Sequence, residues 1–295
     1  MWPLRSDAER VPGDSQVLSP VQPIGQSVIG VWSRADPFRS TRRYLFDVRI
    51  AALFDIHGNL PALEAVLQDV ARAGVDRIVV GGDVVLGPMT RDALETLTSL
   101  SVPVHFIRGN AEIVLLDEIA GRALSFPVPE QYRPALRWEA EQLSEYAYML
   151  EDWPRTLHLD VPALGSSLFC HATPRNENEI FVRTTPEAVL RPIFDPLAVS
   201  LVVCGHTHMQ FDRLIGATRV VNAGSVGMPF MEAGAYWLLL DQTVTLKRTR
   251  YDLNGAAERI RATDYPRAED YATNAVLHPP REATMLESFS RVELK

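Results

Sequence analysis

Short apolar runs rich in Val and Ile alternate with amphipathic stretches through the first half of the chain. Residues 49–54, 77–82 and 104–109 read as buried strands, each ending at Asp or Asn. Between the first two, Leu63, Val66, Leu67 and Val70 recur at helical spacing over 61–72. Pro61 suits that helix's first turn and Gly74 its stop. Ala93, Leu94 and Leu97 repeat the pattern over 91–100. This β-α-β-α-β alternation predicts an α/β fold with parallel strands at its start. Beyond Arg155 the periodicity predicts mostly strands, over 156–160, 167–170, 201–204, 219–222, 235–240 and 244–250.

Three further segments stand apart. Residues 112–153 form an insert, helical over 112–120 and 132–150, that carries Tyr132, Trp138, Tyr146 and Tyr148. Those aromatics have two readings. They face the core of an amphipathic helix pair, or they belong to a lid where they stack a base or aryl group, at about 1–3 kcal/mol per base. After Asp252, Asn254 is a good N-cap for a helix continued by Ala256 to Ala262, and a second short helix is expected over 281–289. Residues 253–295 thus read as a packing appendage or an oligomer contact. Residues 1–45 hold many Pro, Ser, Asp and Arg and little periodicity, which predicts an irregular arm that Trp2, Trp32 and Tyr44 could anchor. The main domain is expected over 46–252.

Composition narrows the function classes. At 295 residues and 46% hydrophobic content the chain can bury a substantial core. A net charge of −8 argues against a protein that coats nucleic acid. It leaves room for a nucleotide, because a bound cation inverts the local field. Two cysteines give no disulfide framework, and Cys170 and Cys204 read as small buried hydrophobes. No apolar run reaches transmembrane length, and the N-terminus lacks the apolar region of a secretory signal. A cytoplasmic protein with no membrane partner is expected.

The chemistry gathers where strands end. Asp55 and His57, Asp83, Asn110, His171, and His206 and His208 each follow one of five predicted strands. Ligands at carboxyl ends of strands sit where open α/β sheets place their sites. Seven such groups are too many for one ion, whereas two ions sharing a carboxylate would use them all. Asp-x-His and His-x-His put two side chains on one side of an extended segment. Asp83 can bridge because a carboxylate offers two oxygens. Imidazole and carboxylate suit Mn, Fe, Zn, Ni or Co, and the lack of thiolate ligands argues against a structural zinc site. His105, His158 and His278 fall outside these motifs.

The motifs Asp55-Ile56-His57-Gly58-Asn59, Gly82-Asp83 with Gly87-Pro88, Gly109-Asn110, His171-Ala172-Thr173-Pro174-Arg175 and Gly205-His206-Thr207-His208 occur in that order. With Asn222-Ala223-Gly224-Ser225-Val226-Gly227, the set resembles the calcineurin-like metallophosphoesterases, especially their small bacterial and archaeal phosphodiesterase branch. The likeness runs from about Arg49 to about Asp252. It implies a four-layer α/β/β/α sandwich of two mixed sheets with outer helices. It also divides the ligands. Asp55, His57 and His208 hold one metal, Asn110, His171 and His206 the other, and Asp83 bridges. Mn2+ is the family habit. Two ions about 3.5–4 Å apart would hold an attacking hydroxide and clamp the phosphoryl oxygens, with Asp83, Asn110 and His171 as the catalytic set. Asn59 is a candidate substrate contact or a turn residue, and Arg175 a phosphate ligand or a surface ion pair.

Two departures refine the expectation. Many relatives place a His directly after the Asn ligand, where this chain has Ala111 followed by Glu112. Losing a general acid typically costs about 10²–10⁴ in rate, least when the leaving group is already a stable anion. The expected reaction is therefore metal-dependent hydrolysis of phosphodiesters or nucleotide-type phosphoanhydrides, more than of monoesters. After the last motif, related chains often read Gln-Pro-Arg-Asp, and this chain reads Met228-Pro229-Phe230-Met231. Those apolar groups pack the loop or favour an apolar or aromatic moiety nearby. The expected partner is a small phosphate ester or nucleotide, with a homo-oligomer also open. The alternatives are a serine/threonine-type protein phosphatase, a slowly turning nucleotide-binding regulator, and a non-enzymatic metal-binding scaffold of the same fold.

Overall fold

The structure, a computed structural model, describes residues 48–292 and 294. The arm expected over 1–45, with Trp2, Trp32 and Tyr44, lies outside the described residues. The chain opens as the periodicity predicts, with β1 (Ile50–Leu53), α1 (Leu60–Ala73), β2 (Arg77–Val80), α2 (Thr90–Thr98) and β3 (Val104–Phe106). Strands β1, β2 and β3 pair in parallel. The late strand β9 (Ala235–Leu240) returns antiparallel to the other edge of β1, and β10 (Val244–Thr249) pairs antiparallel with β9, giving the order β10-β9-β1-β2-β3. The second sheet takes β4 (Thr156–Val161), β5 (Gly165–Cys170), β6 (Leu201–Cys204), β7 (Phe211–Ile215) and β8 (Thr218–Asn222), in the order β4-β5-β6-β8-β7.

Side-chain alternation shows why these strands read as unbroken apolar runs. Ile50, Ala52 and Phe54 join Phe169, Val203, Val221 and Leu238 in one buried cluster between the sheets. Their neighbours Ala51 and Leu53 turn the other way, against Leu63, Val66 and Leu67 of α1 and Leu94 of α2. In the second sheet, Leu168, Val202 and Cys204 pack outward on Leu190, Ile193 and Phe194 of α6 (Glu187–Phe194). Strands covered on both faces have no polar side to show. The layers are helix, sheet, sheet, helix. Two elements of the sandwich were not legible: α6, which carries Pro192 inside it, and β7, an edge strand whose Asp212 and Leu214 are exposed.

The insert folds as α3 (Asn110–Ile119), α4 (Arg133–Leu143) and α5 (Ala147–Glu151), with a tight turn at Ser144–Tyr146 breaking the single helix expected over 132–150. The appendage is α7 (Leu253–Arg261), α8 (Ala268–Tyr271), a π-helical turn at Ala272–Leu277 and α9 (Glu282–Ser290). Its first cap differs from expectation. Asp252, not Asn254, is the N-cap, accepting from the Gly255 amide at 3.0 Å. No helix among the described residues is long and apolar enough to cross a membrane.

Candidate metal centre

The sandwich brings all seven expected ligands to the ends of β1, β2, β3, β5 and β6, between the sheets. Ligand atoms of Asp55, His57 and His208 lie within 4.8 Å of one another, and so do those of Asp83, His171 and His206. Asn110 joins the second group, its Oδ1 3.1 Å from His171 Nε2. Asp83 Oδ2 stands between the groups, 3.7 Å from His57 Nε2 and 3.3 Å from His171 Nε2. That is the position a bridging carboxylate needs.

The backbone bears strain to achieve this. Six described non-glycine residues have positive φ, and five of them are expected ligands: Asp55, His57, Asp83, His206 and His208. Left-handed conformations are uncommon for such residues and concentrate at functional sites. Each one turns the chain sharply at a strand end so that its side chain faces the centre. Gly109 permits close approach, since a Cβ there would lie 2.2 Å from Asp83 Oδ1.

Outer contacts fix how each ligand points. Asp55 Oδ2 accepts the His206 amide at 2.9 Å, and Asp83 Oδ1 accepts the Ala111 amide at 2.8 Å. The other oxygens, Asp55 Oδ1 and Asp83 Oδ2, are buried without a well-aligned hydrogen bond, and so is His206 Nε2. Buried carboxylate oxygens left over in this way fit a bound cation. Three imidazoles use Nδ1 on backbone carbonyls: His57 on Val85 at 3.1 Å, His171 on Gly81 at 2.9 Å and His208 on Met228 at 2.6 Å. Donation from Nδ1 leaves Nε2 free as a ligand.

Electrostatics agree with the donor set. Burial pushes His57 down to about 3 and His206 well below its ordinary value, so both imidazoles are neutral. Burial also opposes charge on His171, but the Asp83 and Asp55 carboxylates outweigh it and raise the ring to about 9. Against the cost of burial, the His171 cation holds Asp83 well below the usual carboxylate range. Oxygen and imidazole donors without thiolate fit Mn, Fe, Co, Ni or Zn.

Two buried acids that the motifs did not single out hold this frame. Glu112 accepts from the amides of Gly109 at 2.6 Å, Asp83 at 2.9 Å and Val84 at 2.8 Å. Burial and the Asp83 charge raise it to about 7, partly offset by those amides. Glu139 on α4 accepts from the Leu86 amide at 2.7 Å and the Gly87 amide at 3.0 Å. Both had signals. Glu112 sits three residues after Gly109, where an acid can reach back to the start of a helix. Glu139 falls on the same helical face as Leu136, Ala140 and Leu143, a face that should be apolar.

A cavity of about 200 Å³ opens beside the centre, with His57, Asn110 and Ala111 among its lining residues. The two expected substrate contacts do not line it. Asn59 is fully buried, capping α1 through the Ala62 amide at 3.2 Å and donating to the Gly227 carbonyl at 2.9 Å. Arg175 pairs with Glu179, its Nε 2.7 Å from Oε1. Of the insert's aromatics, Phe126 and Tyr132 line the cavity. Trp138 packs edge-on against Tyr265 at 5.6 Å, Tyr146 donates to Glu95 at 2.9 Å, and Tyr148 is 86% exposed. In the closing loop Met228 lines the cavity, and Phe230 stacks on the His208 ring at 4.7 Å. The appendage takes part as well: the Tyr271 hydroxyl donates to the His57 carbonyl at 2.8 Å.

Known proteins resemble this chain in sequence and fold. An uncharacterized protein of Methanocaldococcus jannaschii is 26% identical over 233 residues, covering 72% of this chain and 91% of its own. The phosphodiesterase YfcE of Escherichia coli is 27% identical over 200 residues, covering 64% of this chain and 85% of its own. Among solved structures, a metallophosphoesterase from Sphaerobacter thermophilus matches at TM-score 0.60 and 26% identity, over 77% of this chain and 97% of that one. A hypothetical protein from Pyrococcus horikoshii matches in fold at TM-score 0.68 and 22% identity, over 79% of this chain and 99% of that one. The calcineurin-like phosphoesterase superfamily domain model matches residues 48–243. The chain belongs to the calcineurin-like phosphoesterase superfamily.

Proposed function

We propose that this protein is a dinuclear metal-dependent phosphoesterase that hydrolyses phosphodiester or nucleotide-type phosphoanhydride bonds with good leaving groups. The observation that carries the reading is the pair of adjacent buried acid–imidazole groups, with Asp83 Oδ2 3.7 Å from His57 of one and 3.3 Å from His171 of the other, and with Asp55 Oδ1 and Asp83 Oδ2 left over for a cation. In this reading Asp55, His57 and His208 hold one ion, Asn110, His171 and His206 the other, and Asp83 both. Bound divalent ions supply Lewis acidity toward phosphoryl oxygens and lower the pKa of bound water. Mn2+ is the first metal to test.

The chain's own groups favour stable leaving groups. Ala111 takes the wall position next to Asn110 and can neither donate a proton nor stabilise charge. Bond cleavage then depends on a leaving group that departs as an anion. Asn59 and Arg175 enter as supports of the loops around the site, because their polar atoms are used inside the protein. Two buried free thiols, Cys170 and Cys204, are consistent with a reducing cytoplasm.

The test is Mn2+-dependent hydrolysis of bis(p-nitrophenyl) phosphate against p-nitrophenyl phosphate, with Asp83→Asn as control. Diester turnover well above monoester turnover, lost in the variant, is the expected result. Absence of turnover on both esters, with two ions shown bound, would favour the scaffold alternative.

A further inference from the structure

The cavity beside the metal-binding residues has two kinds of lining. His57 and Asn110 are candidate metal ligands. Phe126 and Tyr132 from the insert and Tyr265 and Tyr271 from the appendage are aromatic. Arg267 lies across the Tyr132 ring, its guanidinium carbon 4.2 Å from the ring centroid. It is fixed there by Asp270 at 2.5 Å and by the Gln131 carbonyl at 3.2 Å. Arg267 is the one Lys or Arg among the described residues that line this cavity. Tyr265, Arg267 and Tyr271 all lie outside the stretch 48–243 that matches the family model.

We propose that this cavity is a binding pocket for a planar aromatic ester group of the substrate, with Arg267 and Tyr132 as its specificity-determining residues. The proposal rests on the phosphoesterase reading, which puts the phosphoryl group beside His57 and Asn110. Its class of substrate is a phosphodiester carrying an aryl or heteroaryl group on one side. About 200 Å³ is ample for a ring, since a single water needs only about 10–15 Å³. A saturated chain would gain only buried area from these walls. A ring gains in addition from the tyrosine faces, which favour offset or edge contacts, and from the guanidinium. The guanidinium is already stacked and paired, so little ordering remains to be done when a ring arrives.

Calorimetric titration of the full-length Mn2+-loaded protein with phenylphosphonate and methylphosphonate separates the two ideas. The probes share a head and differ in ring against methyl. Phenylphosphonate should bind at least about tenfold tighter, the lower part of the range for aromatic stacking on a base. That ratio should fall below about threefold in Arg267→Gln and in Tyr132→Leu, each checked for folding by circular dichroism. Arg267→Gln carries the test if the buried Tyr132 variant does not fold. A wild-type ratio near one, or an unchanged ratio in folded Arg267→Gln, overturns the pocket; methylphosphonate binding would still leave the phosphoesterase reading standing. Ring-dependent binding without any methylphosphonate affinity supports the pocket and counts against that reading. No binding of phenylphosphonate overturns the pocket.

Discussion

Glu139 offers a sharp test of how the insert is fastened to the site. Its carboxyl is fully buried and holds the amides of Leu86 and Gly87, in the loop that follows Asp83. Burial pushes it up from 4.5 to about 8, only partly offset by Thr90 and those two amides. Between those values the folded protein keeps a proton that the unfolded chain has released. Stability from this group is therefore fully present below about pH 4.5 and falls as pH rises toward about 8. The slope is at most about 1.4 kcal/mol per unit, so the whole window amounts to roughly 5 kcal/mol. Glu139→Gln cannot titrate. Its carbonyl still accepts one amide, but its NH2 faces the other, which costs about 1–3 kcal/mol. Urea midpoints of the metal-free protein, measured from about pH 5 to about pH 8, should place the variant below wild type at the acid end. The gap should close and then reverse toward the alkaline end. Titration of Glu112 and His171 is common to both proteins and largely cancels in the difference. A constant gap across the range would mean that two amides and Thr90 suffice to keep Glu139 ionised, and the reasoning would fail.

Ala111→His should restore a proton donor at the cavity wall, raising turnover of poor leaving groups by about 10²–10⁴ relative to good ones; an unchanged ratio in a leaving-group series would remove the role assigned to Ala111. Metal removal by chelation should lower the melting temperature, because an ion at about 100 times its Kd adds about 2.7 kcal/mol. At about 2–4 °C per kcal/mol this amounts to roughly 5–10 °C in scanning calorimetry, and an unchanged melting temperature would argue against a tightly held ion. Tyr271→Phe removes the donor to the His57 and Gly227 carbonyls. Leaving those acceptors without it should cost about 1–3 kcal/mol in urea denaturation, and a loss below about 0.5 kcal/mol would show that the appendage does not brace this loop.

The candidate metal centre was legible because its residues stand at strand ends, where hydrophobic period and ligand chemistry change together. Asp55 follows a strand buried on both faces, so a carboxylate there cannot belong to the core. The same logic exposed His171 and His206. The substrate side was not legible, because no local pattern shows which distant segments meet. Tyr132 and Arg267 are 135 positions apart and come together only once α4 and the appendage pack on the same flank. Asn59 looked able to contact phosphate because motif order says nothing about burial. In the fold its amide is used within the metal loop. Phe230 was readable either as loop packing or as a substrate neighbour, and its place between His208 and Phe289 of α9 assigns it to packing. The missed β7 has the alternation of a one-sided edge strand, weaker than the buried runs on which the reading relied.

The appendage then acquires a role that its own sequence does not suggest. It has no candidate ligand, yet Tyr271 binds the carbonyl of His57, a residue held at φ 45°. A strained ligand keeps its conformation only while its surroundings over-determine it. Part of that restraint on His57 comes from outside the domain that matches the family. The same short π-helical turn that follows Tyr271 sends Asn274 and Ala275 to the cavity, and π-helical turns occur often at functional sites. One segment outside the matched stretch thus touches both the loop of a candidate ligand and the space before it. On the proposed reading the sandwich would supply the charge and the ligand positions, and the appendage would help set which ester can approach them. Two proteins with the same seven candidate ligands would then differ in substrate without any change among those ligands.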